Sequence, residues 1–85
     1  MADSKIEIIQ SDGRFTARRL EYGQTFVLAS DKDGGAVGHQ WWLNPQVFNL
    51  PEEMKTWGCN DAQIRQAIES LTSGKDTHLE FEVPR

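Results

Sequence analysis

Near residue 45 the hydrophobic pattern of this chain changes period, from two residues to about 3.6, and near residue 78 it changes back. Alternating side chains belong to strands with one face in water, whereas a 3.6-residue stripe belongs to a helix with one covered face. A chain ordered in this way buries its apolar surface by laying helices on one face of an antiparallel sheet, an α+β fold.

The first half supplies the strands. Residues 5–10 (KIEIIQ) are rich in β-branched side chains, and Ser11-Asp12-Gly13 follows, with Asp-Gly the strongest short hairpin signal. Residues 14–20 alternate Phe15 and Ala17 against Arg14, Thr16 and Arg18. A second turn at residues 21–24 leads to residues 25–30 (TFVLAS), where Phe26 and Leu28 can point to the core. Residues 31–38 form a Gly/Asp loop, and residues 39–43 (HQWWL) read as a fourth strand.

Asn44-Pro45 breaks that strand, and Leu50-Pro51-Glu52-Glu53 starts a helix: proline suits the first helical position and the glutamates complement its positive end. Met54 and Trp57 share one side of that helix, and Gly58 stops it. Asn60 is an N-cap with Gln63 placed to close a capping box, and Ile64, Ala67, Ile68 and Leu71 make the apolar stripe of a second helix ending near Gly74. Residues 78–83 alternate Leu79, Phe81 and Val83 against Glu80 and Glu82, a last strand. The expected order is β-β-β-β-α-α-β in a single domain over residues 1–85, with about five strands and both helices on one face.

Composition narrows the function. Thirteen Asp and Glu against nine Lys and Arg give a net charge of −4, the wrong sign for a general phosphate-backbone binder. A single cysteine, Cys59, permits no intramolecular disulfide, and neither a leader-like segment nor an apolar run of roughly 20 residues is visible, so a cytoplasmic location is expected. Nucleophile elbows, phosphate loops, dinucleotide fingerprints and His-Glu-x-x-His are all lacking, so no catalytic residue and no cofactor is expected. His39, Cys59 and His78 lack the paired spacing of a structural zinc site, and no metal is expected there. Cys59, just before a helix N-terminus, is either an activated thiol or, more simply, a small half-buried residue in the helix-helix turn.

Two features carry binding instead. Arg14, Arg18 and Arg19 make the one local basic cluster, either an RNA-binding face or the solvated side of a hairpin paired with Glu7 across the strands. Trp41 and Trp42 must point to opposite faces if both lie in a strand; Trp41, in phase with Leu43, is then the core member and Trp42 an exposed hot spot, unless Trp42 packs under residues 45–50.

Residues 50–83 (LPEEMKTWGCNDAQIRQAIESLTSGKDTHLEFEV) combine a short helix, Trp57-Gly58, a capped amphipathic helix and a terminal Leu-Glu-Phe strand. This stretch resembles the C-terminal part of a small phage-borne anti-CRISPR family that inhibits type II-C Cas9. The resemblance implies a five-stranded antiparallel sheet with two inserted helices, and binding to the HNH nuclease domain so that its catalytic centre is masked. It places the contact residues at the start of the last strand, here Thr77 and His78. The expectation is a non-enzymatic protein-binding module, with Thr77, His78 and Trp42 as partner-binding residues; the alternative is a small nucleic-acid binder using Arg14, Arg18 and Arg19.

Overall fold

Two tight hairpins build three of the four strands. The computed structural model describes residues 4–34, 38 and 40–84. Strand β1 (Ser4–Ser11) turns through Asp12 and Gly13 into β2 (Arg14–Glu21), and β2 turns through Tyr22 and Gly23 into β3 (Gln24–Ser30). All four turn residues have positive φ, as a two-residue hairpin that follows the right-handed strand twist requires. Strand β4 (Thr77–Val83) returns from the helices to pair antiparallel with β1, giving the order β3-β2-β1-β4.

The expected class is therefore present, an antiparallel sheet with two helices, but the sheet has four strands among the described residues. The fourth strand expected at 39–43 is absent: Gln40 adopts a left-handed conformation (φ 57°) and Trp41–Leu43 form a 3-10 turn. His39 lies outside the described residues. An extended backbone would have sent the two tryptophans to opposite faces. The tight turn brings both into the core, where Trp41 and Trp42 are only 3% and 1% exposed. Trp42 is thus not a surface residue, and its ring lines one hollow with Pro45, Phe48 and Leu50.

Their partner is Phe15 on β2. Its ring stacks on Trp42 at 4.9 Å and meets Trp41 edge-on at 5.6 Å, while Phe48 closes against Trp41 at 5.4 Å. Asp31, the first residue of a single helical turn α1 (Asp31–Gly34), holds this cluster in register. Its Oδ1 accepts from the Phe15 amide (3.0 Å) and from the Trp41 indole (3.3 Å).

Helices α2 (Leu50–Trp57) and α3 (Asp61–Thr72) cover the same sheet face. Asn49 caps α2, and the Asn60–Gln63 capping box opens α3 with both reciprocal bonds formed, at 2.8 and 2.9 Å. Gly58 ends α2 at φ 104°, a conformation that favours glycine, and a Cβ there would sit a tight 3.3 Å from the Val83 side chain. Met54, Trp57, Ile64, Ala67 and Leu71 are buried as the stripe predicts; Ile68 is half-buried at its margin. Below them lie Ile6, Ile8, Ala17, Phe81 and Val83.

β3 departs from the sequence pattern. A bulge at Ala17/Arg18 shifts the register so that Ala29 pairs with Ala17 and Phe26 with Arg19. Ala29 takes the buried position, Leu28 is half-buried, and Phe26 remains 45% exposed rather than entering the core.

Because both tryptophans are walled in, Trp42→Ala and Trp41→Ala should each cost about 3–5 kcal/mol in denaturant unfolding. Ile68→Ala should cost clearly less than Leu71→Ala. A Trp42→Ala loss below about 0.5 kcal/mol would place that ring outside the core.

Candidate functional site

The face of the sheet away from the helices is open, and its middle carries charge. Glu7 stands opposite Arg18 on β2 and opposite Glu80 on β4, and His78 sits diagonally beside it, opposite Ile9. Period-two geometry therefore gathers one residue from β1, one from β2 and two from β4 on one patch.

Glu7 is only 4% exposed although it lies on the open face. Arg18 and His78 account for this. Arg18 Nε donates to Glu7 Oε1 at 2.6 Å, and the Arg18 guanidinium forms an ion pair with the same oxygen. His78 Nε2 donates to Glu7 Oε2 at 2.6 Å. Burial alone would raise the carboxyl's pKa, but the hydrogen bonds and charges of His78 and Arg18 outweigh it and hold Glu7 below the usual range. Around this pair lie Glu80, 3.7 Å from His78 Nε2, and Lys5, 3.9 Å from Glu80. His78 and Glu80 are each about half-exposed.

The arginine cluster expected from the sequence is divided. Arg18 is engaged by Glu7, the cross-strand pairing anticipated for the solvated hairpin. Arg19 points to the other face, where its guanidinium donates to the Trp57 carbonyl at 3.1 Å and caps the C-terminal end of α2. Arg14 stays exposed at the strand end.

Thr77 and His78 fall beside an open groove of about 330 Å³ lined by Ile9, Gln10, Ser11, Asp76, Thr77 and His78. Thr77 is half-buried and spends its hydroxyl on the Ser70 and Lys75 carbonyls (3.4 and 3.0 Å), whereas His78 is exposed. Trp42 instead forms a wall of an apolar hollow of about 190 Å³ with Pro45, Phe48, Leu50, Pro51 and Ile68. Cys59 is 7% exposed, and burial pushes its thiol up to about 11 against the pull of Arg19, so it stays protonated at neutral pH.

Sequence reasoning missed the outer edge of the sheet. Among the described residues, the large apolar side chains left exposed are Tyr22 (77%), Phe26 (45%), Val27 (63%) and Val47 (36%). Three of these four lie on β3 or the turn leading into it. β3 (QTFVLAS) carries no charged residue, while β4 at the opposite edge carries His78, Glu80 and Glu82. The bulge sets Phe26 opposite Arg19, on the helix side of the sheet but at its outer edge, where the ring stays 45% exposed, and sequence alone did not carry that signal. Comparison with protein-family models, curated proteins and solved structures finds no match.

Glu7 gives a pH prediction. Its folded pKa lies below the unfolded value of about 4.3, so its contribution is present in full above that value and is lost as pH falls through the lower folded one. Thermal melts of the native protein and of Glu7→Gln should differ most at pH 7 and converge as the solution is taken toward pH 3. A gap that stays constant over that range would show that Glu7 does not hold its proton affinity down in the folded state.

Proposed function

We propose that this chain is a non-enzymatic protein-binding module that receives an extended, apolar segment of its partner along β3. The single observation that carries this reading is the uncharged edge strand with Phe26 and Val27 exposed on it. Folded proteins blunt their sheet edges with charge, proline or cover, because an edge is a template for another strand. β4 is blunted by its acids. β3 is not, and strand addition gives such an edge a use: main-chain hydrogen bonds supply affinity, and alternate side chains supply specificity. Exposed aromatic and β-branched residues beside the ladder are the groups that a partner strand would cover.

The resemblance to Cas9 inhibitors supplies a narrower form of the proposal, in which the partner is an HNH nuclease domain met at Thr77 and His78. The exposure of His78 and the adjoining groove support that surface. The nucleic-acid alternative draws less support, because Arg18 and Arg19 already have protein partners.

The test is partner affinity for two sets of surface variants, measured on a partner recovered by cross-linking in cells and, in parallel, on a purified type II-C HNH domain. Phe26→Lys and Val27→Lys should weaken binding about tenfold or more, with the circular dichroism spectrum unchanged. Thr77→Asp with His78→Glu should change it less than about twofold. The reverse pattern would move the interface to the start of β4, and binding unaffected by either set would remove both surfaces.

A further inference from the structure

We infer that Glu7, His78 and Glu80 form a binding site for a single divalent transition-metal ion of the zinc type, on the open sheet face near β4. Glu7 Oε2, His78 Nε2 and a Glu80 carboxylate oxygen all lie within 4.8 Å of one another. Two ligands bound to one zinc ion at about 2.0–2.2 Å can stand no more than about 4.4 Å apart, so the set closes on an ion through small rotations. The groups that must rotate have solvent around them in which to do so. His78 and Glu80 are half-exposed, on alternate positions of one strand, and so project from the same side.

The third ligand is the fixed one. Glu7 is nearly buried, and Arg18 grips its Oε1, which leaves Oε2 directed at His78. A carboxylate oriented by a second residue is how metal sites hold a ligand in place before the ion arrives. One imidazole nitrogen and two carboxylate oxygens form a mixed donor set suited to zinc, cobalt or nickel, unlike the all-oxygen cages that calcium and magnesium prefer. The ion would replace the proton that Nε2 shares with Glu7, and Lys5 would release Glu80 at the rim. Three protein ligands leave at least one position facing solvent, open to water or to a partner's side chain. The site is spatially separate from β3, because β3 and β4 are opposite edges of the sheet.

The test is calorimetric titration of the full chain with Zn2+, and optical titration with Co2+, at neutral pH in a non-chelating buffer. Saturation at one ion per chain is expected, with cobalt absorption bands of a low-coordinate nitrogen and oxygen site. His78→Ala and Glu80→Gln should each weaken binding by tenfold or more without loss of fold. Arg18→Gln, which removes no ligand atom but releases Glu7 Oε1, should weaken it about 10–100-fold by freeing the Glu7 carboxylate to turn. His39→Ala and Glu82→Gln are controls that should bind as the native chain does. Absence of saturable binding, survival of binding in His78→Ala, or equal loss in His39→Ala would each overturn the assignment.

Discussion

The stack of Phe15 on Trp42, with Trp41 and Phe48 edge-on around it, is the contact on which the other parts of this fold depend. A short antiparallel sheet with one wet face does not stand alone; it needs a layer packed on the other. Here the joint between the two layers is aromatic, and offset or edge-on ring pairs add to the area they bury. Asp31 fixes the joint at the end of β3 by accepting from both the Phe15 amide and the Trp41 indole. Of the described residues between β3 and α2, Trp41 and Trp42 are therefore in the core while residues 44–47 stay exposed.

Local chemistry explains which parts of the fold were legible. Asp12-Gly13, the Asn60–Gln63 box and Gly58 act within a few residues of themselves, and each forms the turn or cap that its sequence predicts. The 39–43 segment was misread because an alternation argument presumes an extended backbone. A left-handed Gln40 removes that premise, and the next two tryptophans then turn to the same side. The bulge at Ala17/Arg18 is likewise a property of two strands together, and it decides that Phe26 stands opposite Arg19 and Val27 opposite Arg18.

The charged patch was legible only in pieces. Glu7 with Arg18 follows from hairpin register, and that pairing was anticipated. Glu7 with His78 joins residues 71 positions apart and exists only because β4 returns to the far side of β1. His78 was singled out for its place at the start of the last strand; what it touches there required the strand order. Trp42 shows the opposite case, a residue chosen for exposure whose ring the fold encloses.

All three tryptophans are consumed on the helix side of the sheet, so the proposed binding rests on the uncharged β3 edge and the charged open face rather than on an exposed tryptophan. Intrinsic fluorescence with acrylamide quenching tests that division most directly. The account predicts a blue-shifted emission with all of the intensity poorly quenched in the native state, since Trp41, Trp42 and Trp57 are 3%, 1% and 7% exposed. A separable, readily quenched, red-shifted component that disappears in Trp42→Phe would contradict it and return Trp42 to the surface.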